Sequence, residues 1–135
     1  MSKPTVLLVD DEPDILQLLE ITLARMNLST LRATTLAEAR AHLDNHRPDL
    51  CLTDMKLPDG NGLTLIEHMQ HNYPEIPVAM ITAHGSVESV IDALTLGAFA
   101  FVTKPLALNN LLDLVQHRFK VHTPAVTDGT REMIA

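Results

Sequence analysis

Acidic residues follow directly after two apolar, strand-like runs of this chain. Asp10 and Asp11 come after Thr5–Val9, and Asp54 comes after Leu50–Thr53. Three carboxylates brought close together repel one another, so such a cluster is costly unless a cation lies among them. An all-oxygen site with room for water suits magnesium better than zinc. These residue types therefore predict a carboxylate site that binds Mg²⁺.

The chemistry that such a site favours is phosphoryl transfer. A carboxylate is a competent nucleophile toward phosphorus and gives an aspartyl phosphate. The reaction needs positioning and charge neutralisation, to which a metal bridging to a phosphate oxygen contributes. Thr82 ends a fourth apolar run and offers a hydroxyl, and Lys104 follows a fifth run and offers a positive charge. With Asp54 as nucleophile, these residues form the inventory of a phosphoryl acceptor.

Each residue also has a purely structural interpretation. The acids at 10–14 could cap a helix and favour its dipole, and Asp54 could form a turn ahead of Pro58-Asp59-Gly60. A threonine that ends a strand is usually structural, and a lone lysine such as Lys104 is usually a solvated charge. The functional interpretation is favoured because all these positions fall at the carboxyl ends of predicted parallel strands.

The elements that must position these residues alternate five times between strand and helix. Strands are predicted at 5–9, 29–34, 50–53, 77–82 and 99–103. This alternation implies an α/β fold with right-handed crossovers and a mostly parallel sheet covered on both faces. Ligands of such sheets bind beyond the carboxyl ends of the strands, where the candidate residues lie.

Apolar residues at helical spacing predict the five intervening helices. Pro13 suits the first turn of helix one, and residues 35–38 form a capping box for helix two. Ser86 can cap helix four, and Gly97 can close it. The expected apolar positions are Ile15, Leu18, Leu19, Thr22, Leu23 and Met26 in helix one, Leu36, Ala39 and Leu43 in helix two, Leu63, Ile66 and Met69 in helix three, Val87, Val90, Ile91 and Leu94 in helix four, and Leu108, Leu111, Leu112, Val115 and Phe119 in the last.

Composition excludes several classes of function. The chain has 135 residues, 46% of them apolar and 20% charged, which is typical of one globular domain. Its net charge of −7 repels phosphate backbones, so we expect no direct binding to nucleic acid. The apolar runs are too short to cross a bilayer, and the N-terminus does not resemble a signal peptide. The single cysteine, Cys51, excludes an internal disulfide framework and fits a cytoplasmic location.

Four motifs together resemble those of bacterial response-regulator receiver domains. They are Val9-Asp10-Asp11-Glu12-Pro13, the stretch from Thr53 to Gly62, Ile81-Thr82-Ala83 and Thr103-Lys104-Pro105. The resemblance covers about residues 4–120. It implies a flavodoxin-like (βα)5 fold with strand order 2-1-3-4-5, and a chain that takes a phosphoryl group on Asp54 from the phosphohistidine of a sensor histidine kinase.

The resemblance also implies roles for individual residues. Asp11 and Asp54 would ligate Mg²⁺ directly, Asp10 would bind it through a water, and the backbone carbonyl of Lys56 would complete the protein ligands. Lys104 would pair with the phosphoryl group, Thr82 and Phe101 would form the switch pair, and the bond before Pro105 would be cis. Phe101 stands where tyrosine is more usual, so a hydroxyl-dependent part of the switch is absent.

A narrower resemblance concerns the output. Residues 82–86 and 96–101 are similar to the receivers of transcription activators that carry an ATPase domain and a DNA-binding domain. Residues 54–60, taken with 18–23 in helix one, are similar to the regulator of type IV pilus genes, whose class works with sigma-54 RNA polymerase. This resemblance implies a receiver domain at 1–120, a linker or tail at 121–135 toward an output domain, and homodimerisation on activation.

Other functions remain as alternatives. The chain could be a stand-alone receiver that acts through protein–protein contacts. An aspartyl-phosphate phosphatase would need an acid at the position of Lys56, and a flavin-binding protein would need Ser, Thr or Gly after strand one.

Two histidine pairs have helical spacing but no third ligand for zinc. They are His42 with His46 and His68 with His71. The resemblance to receiver domains also implies that His84 and Lys56 lie at positions that tune how long the phosphoryl group survives.

Overall fold

Five helices and seven strands form within the part of the chain that the computed structural model describes, residues 3–83, 87–104 and 108–119. The alternation of strand and helix predicted from the sequence is present. The elements are β1 (Thr5–Val9), α1 (Pro13–Arg25), β2 (Ser29–Ala33), α2 (Leu36–His46), β3 (Leu50–Thr53), β4 (Lys56–Leu57), β5 (Gly60–Asn61), α3 (Gly62–Asn72), β6 (Val78–Thr82), α4 (Val87–Leu96), β7 (Ala100–Thr103) and α5 (Leu108–Phe119).

A five-stranded parallel sheet organises the molecule. Its strand order is β2-β1-β3-β6-β7, with every neighbouring pair parallel. Counted within this sheet alone, the order is 2-1-3-4-5, so the predicted flavodoxin-like topology is confirmed. β2, β6 and β7 each lack one terminal residue of the predicted range.

Each face of the sheet carries its own apolar core. On one face, α1 and α5 cover strand residues such as Leu8, Leu52 and Ile81. On the other face, α2, α3 and α4 cover Leu7 and Met80 and their neighbours. Successive strand residues alternate between these two cores, because side chains of a strand point to opposite faces. Burial on both faces explains the nearly continuous apolar runs of the central strands.

The start of α2 is fixed by local hydrogen bonds. The Thr35 side chain accepts a hydrogen bond from the Glu38 backbone N–H at 3.1 Å, as the predicted capping box requires. The reciprocal bond shifts by one residue, since Glu38 Oε1 accepts from the N–H of Thr34 at 2.7 Å. Asp59 adds a second cap from a distant loop, because its carboxylate accepts from Leu36 N at 2.8 Å and Ala37 N at 3.1 Å.

Two helix faces differ from the prediction. In α1, Leu18 was expected to face the core but is 39% exposed, and Leu16 is buried instead. In α4, Ile91 and Leu94 are exposed, and the small side chain of Ala93 is buried against the sheet. The apolar residues in each helix are numerous enough to allow more than one face toward the core, and packing against neighbouring elements selects one of them.

A short antiparallel hairpin occupies the segment that the sequence predicted as a turn-rich loop. β4 pairs with β5 in the register Lys56 to Asn61 and Leu57 to Gly60. Strands of two residues are too short to show an alternating pattern, which explains why the sequence did not indicate them. The hairpin lies between β3 and α3 and thus directly follows Asp54.

Several predictions concern residues outside the described ranges. They are the cap at Ser86, the role of His84, the peptide bond before Pro105 and the linker at 121–135. Within the described ranges, every helix is either too short or too polar to span a membrane.

Candidate functional site

The carboxyl ends of four neighbouring strands bring the candidate residues to one edge of the sheet. Asp10 follows β1, Asp54 follows β3, Thr82 ends β6 and Lys104 follows β7. Backbone hydrogen bonds fix them: Asp54 N donates to Val9 O at 2.8 Å, and Lys104 N donates to Thr82 O at 2.9 Å. The sheet ladder thus continues one residue past the strands and sets the spacing of the site.

Lys104 forms the centre of the cluster. Its Nζ lies 2.7 Å from Asp10 Oδ2, 2.8 Å from Glu12 Oε1 and 3.1 Å from Asp54 Oδ2. The Lys104 side chain is only 6% exposed, as buried as the carboxylates of Asp10 and Asp54. Charges this well shielded interact more strongly than exposed pairs. One ammonium therefore holds together carboxylates from two different strand ends.

The pKa values of the cluster follow from burial and pairing. Burial raises the pKa of Asp10 above its ordinary value, although the hydrogen bonds from Lys104 and from the Glu12 N–H act in the opposite direction. Burial alone would lower the pKa of Lys104, but its hydrogen bonds to Asp10, Glu12 and Asp54 outweigh burial and raise it. The lysine is therefore a permanent cation in this site at neutral pH.

Asp54 is held rigidly by its surroundings. Its Oδ1 accepts a hydrogen bond from Met55 N at 2.7 Å, and its backbone carbonyl accepts one from Thr53 Oγ1 at 3.0 Å. Gly62 packs against that carbonyl and donates its N–H to Met55 O at 2.6 Å. A Cβ at position 62 would overlap the Asp54 carbonyl oxygen, so the turn into α3 requires glycine.

Four carboxyl groups could share a cation at this edge. Asp10, Asp11, Glu12 and Asp54 each offer an oxygen, and these oxygens lie within 4.8 Å of one another. Asp10 and Asp54 are buried, and Asp11 and Glu12 are exposed. An all-oxygen donor set with an open, hydrated side fits Mg²⁺, and a second cation besides Lys104 would offset the remaining repulsion.

Thr82 and Phe101 lie on the same face of the sheet. Phe101 pairs with Met80 and Thr82 with Thr103 in the parallel register of β6 and β7. Phe101 packs against the core that contains Met80, and Thr82 follows Met80 by two positions on the same strand. Thr82 is fully buried and Phe101 is half-buried. Two side chains whose movements are coupled would have to lie on the same face, as Thr82 and Phe101 do. Their role as the switch pair stays a prediction.

Glu12 is the member of the site that sequence reasoning missed. The sequence suggested only a helix-capping role for it, yet Glu12 occupies the N-cap position of α1 without any side-chain cap hydrogen bond. Its carboxylate instead reaches Lys104, 92 positions along the chain. The closing strand β7 brings these two residues together, and no local spacing in the sequence could have indicated their contact.

The other candidate residues lie apart from these contacts. Lys56 occupies the first position of β4, two residues beyond Asp54, and its predicted role as a carbonyl ligand stays a prediction. The His42 ring contacts the Arg32 carbonyl at 2.9 Å, and His68 contacts Asn72. Cys51 is fully buried, and burial raises the pKa of its thiol, as in an ordinary core cysteine.

A parallel sheet with helices on both faces and a carboxylate–lysine site at one edge is the arrangement of a phosphoacceptor domain. Comparison with known sequences shows to which family of such domains the chain belongs. The sequence profile described as "Response regulator receiver domain" matches residues 6–116, and the chain belongs to this family. The chain is 52% identical over 129 residues to the response regulator protein PilR of Pseudomonas aeruginosa, covering 96% of this chain and 29% of PilR.

More distant relatives of the chain are also transcriptional regulators. The transcriptional regulatory protein GlrR of Escherichia coli is 33% identical over 96% of this chain and 29% of GlrR, and the DNA-binding transcriptional regulator NtrC of the same species is 31% identical over 86% of this chain and 25% of NtrC. The chain thus spans less than a third of the length of these relatives. The predicted resemblance to receivers of sigma-54-dependent activators is confirmed.

Solved structures show the same fold. A CheY-like response regulator receiver domain protein from Methanospirillum hungatei superposes with a TM-score of 0.84 at 30% identity, covering 88% of this chain and 95% of that one. The beryllofluoride-activated NtrC4 receiver domain dimer gives a TM-score of 0.81 at 33% identity, covering 86% of this chain and 96% of that one.

Proposed function

We propose that this receiver takes a phosphoryl group on Asp54 from the phosphohistidine of a sensor histidine kinase. The observation that carries the proposal is the position of Lys104, whose ammonium lies 3.1 Å from Asp54 Oδ2 and is shielded from water. A phosphoryl group formed on Asp54 would lie beside this positive charge. Phosphoryl transfer depends mainly on such positioning and charge neutralisation.

The phosphoryl transfer requires neither water nor a redox partner. An oxygen of Asp54 attacks phosphorus, the P–N bond to the kinase histidine breaks, and the imidazole leaves with the electron pair. Lys104 then pairs with a phosphoryl oxygen, and the Thr82 hydroxyl donates a hydrogen bond to another. The acyl phosphate is labile, so we expect slow self-dephosphorylation of a switch rather than the turnover of an enzyme.

Magnesium is the cation that the site would hold. Asp11, Asp54 and the Lys56 carbonyl would bind it directly, and Asp10 would bind it through a water. When bound, it neutralises charge on the transferring phosphoryl group. The carboxylate cluster supports this assignment, because Asp10, Asp11 and Asp54 each offer an oxygen within 4.8 Å of the others and Asp11 faces solvent.

Phosphorylation would act as a population shift between two conformations. In the active one, Thr82 moves toward the phosphoryl group and the Phe101 ring follows into the vacated space. The surface made by α4, β7 and α5 would change as a result and form a homodimer. The exposed apolar side chains of α4 and the dimer named in the NtrC4 receiver structure support this step.

The output that fits best is transcription activation in the cytoplasm. Residues 1–120 would form the receiver, and 121–135 would lead to the output part of a sigma-54-dependent activator, which carries an ATPase domain and a DNA-binding domain. The DNA-binding domain, rather than the receiver, would contact DNA. The similarity to PilR and NtrC supports this assignment. The net charge of −7 disfavours nucleic-acid binding by this segment itself.

Intact mass spectrometry after incubation with acetyl phosphate tests the proposal. We expect one phosphoryl adduct that requires Mg²⁺ and is lost in Asp54→Asn. Asp14→Asn is the matched control, because Asp14 is an exposed aspartate in the first turn of α1. It should be phosphorylated like the wild type. An adduct that persists in Asp54→Asn, or none in the wild type, would refute Asp54 as the acceptor.

A further inference from the structure

Glu12 combines an exposed side chain with a contact to a shielded charge of the site, the ammonium of Lys104. Its side chain is 56% exposed, yet Oε1 lies 2.8 Å from Lys104 Nζ. It makes no side-chain cap hydrogen bond, although it stands at the N-cap of α1. Its described polar contact is therefore with the lysine that the proposed phosphoryl transfer uses.

The ammonium of Lys104 has no spare hydrogen-bond donor. An ammonium carries three N–H groups, and three carboxylates surround Nζ at 2.7, 2.8 and 3.1 Å. A phosphoryl group on Asp54 brings new acceptor oxygens to the same nitrogen. The phosphoryl group can take over the N–H that Asp54 accepts now, but a second phosphoryl oxygen can bind Lys104 only if Asp10 or Glu12 releases its N–H.

Glu12 is the partner that leaves at the lowest cost. The Asp10 side chain is buried and its other oxygen accepts the Glu12 N–H at 2.9 Å, so a freed Asp10 carboxylate would stay shielded from water. Asp54 carries the phosphoryl group itself. The Glu12 carboxylate, by contrast, can be hydrated as soon as it lets go, because its side chain already faces solvent.

We propose that Glu12 is an exchangeable counterion of Lys104, a positioning residue that occupies the ammonium in the resting state and is displaced by the phosphoryl group. The inference rests on the proposed function of Asp54. It makes Glu12 a brake on phosphorylation, because full pairing of the phosphoryl group with Lys104 requires the Glu12–Lys104 pair to break. Removing the carboxylate charge should therefore speed the reaction and strengthen binding of phosphoryl analogues.

Glu12→Gln is the informative variant, since it keeps the size of the side chain and removes its charge. At saturating Mg²⁺ we expect the initial rate of Asp54 phosphorylation by acetyl phosphate to rise about two- to fivefold, the range that a partly exposed ion pair gives. Asp14→Asn is the control, because it also removes one negative charge from the surface that the anionic acetyl phosphate approaches. The inference is overturned if the two variants change the rate equally or if Glu12→Gln is slower.

A binding measurement separates this inference from the proposed function. Beryllofluoride is titrated at saturating Mg²⁺ and followed by amide NMR shifts, without any phosphodonor. Its dissociation constant should fall by the same two- to fivefold in Glu12→Gln. A wild type that neither reacts nor binds sinks the proposed function. A wild type that does both, with a Glu12→Gln variant that binds beryllofluoride no tighter than Asp14→Asn, sinks only the role of Glu12.

Discussion

Lys104 is the residue on which the resting site depends. Its ammonium faces two buried carboxylates, Asp10 and Asp54, at 2.7 and 3.1 Å. Lys104→Met would leave both without a counter-charge, and we expect a loss of roughly 3 kcal/mol in the free energy of unfolding without metal. Mg²⁺ should restore more stability to this variant than to the wild type, because it replaces the missing positive charge. Chemical denaturation with and without Mg²⁺ measures both effects.

Lys56→Met is the matched control for this experiment. Lys56 is an exposed lysine close to the site in sequence, and its substitution leaves the backbone carbonyl in place. We expect its stability to change little in either condition. If Lys104→Met unfolds at the same denaturant concentration as Lys56→Met without metal, the carboxylates do not depend on Lys104 for their stability.

Gly62 gives a second prediction at the scale of one residue. Helix propensity alone favours alanine over glycine in α3 by about 1 kcal/mol. The added Cβ would overlap the Asp54 carbonyl, a backbone atom that cannot move without disturbing the site. We expect Gly62→Ala to lose about 1–3 kcal/mol of stability and to be phosphorylated more slowly. Thr64→Ala, an exposed position of the same helix, should show neither change.

The sequence could predict the buried acceptor and its lysine, but not every partner. Asp10, Asp54 and Lys104 each follow a strand, and the geometry of parallel sheets then places them at one edge. Glu12 is the N-cap residue of α1, where an acid has an adequate local explanation. Its contact with Lys104 depends on side-chain reach across the site, which strand order does not determine.

At the scale of elements, Asp59 links the hairpin β4–β5 to α2. The hydrogen bond from Leu36 N lowers the pKa of Asp59, and the bond from Ala37 N adds to this shift. A lowered native pKa means that the carboxylate stabilises the fold above its unfolded-state pKa, 3.8, and that this stabilisation is lost as pH falls through the native pKa. Asp59→Ala should therefore be less stable than the wild type at pH 7.

The stability gap caused by Asp59→Ala should narrow as pH falls through the unfolded-state pKa of 3.8 toward the lower native pKa, because protonation of Asp59 then favours the unfolded wild-type chain. Denaturation of both proteins between pH 7 and pH 3 measures this gap. Asp92→Ala removes an exposed aspartate of α4 and controls for the change in net charge. A gap that stays constant across this range would show that the Asp59 charge does not cap α2.

The helices and strands could be predicted from the sequence where their apolar residues recur at regular spacing. Five strands and five helices followed from apolar spacing, with ends correct to within about one residue for the strands. The hairpin and the Asp59 cap could not be predicted, since one is too short for a pattern and the other joins residues 22 and 23 positions apart. The rotation of α1 and α4 also depends on their neighbours rather than on their own sequences.

For the whole molecule, the two faces of the sheet present different surfaces. α1 exposes Leu18 and Ile21 on one side, and α4 exposes Ile91 and Leu94 near the opposite core. The proposed switch passes from Thr82 to Phe101 on β7, and β7 borders the sheet beside α4. A change at Asp54 would therefore reach the α4 surface before the α1 surface.

Substitution of Ile91 tests whether that surface forms the active dimer. Ile91 is 55% exposed, so glutamate there should not disturb the fold of the monomer. We expect Ile91→Glu to weaken the beryllofluoride-induced dimer at least about tenfold, because burying a charge replaces the burial of an apolar side chain. Ile21→Glu, 48% exposed on α1, is the matched control and should dimerise like the wild type. Sedimentation equilibrium with and without beryllofluoride measures these constants. Loss of the dimer in Ile21→Glu alone would move the interface to α1, and a wild type that stays monomeric would leave the switch without the proposed homodimer.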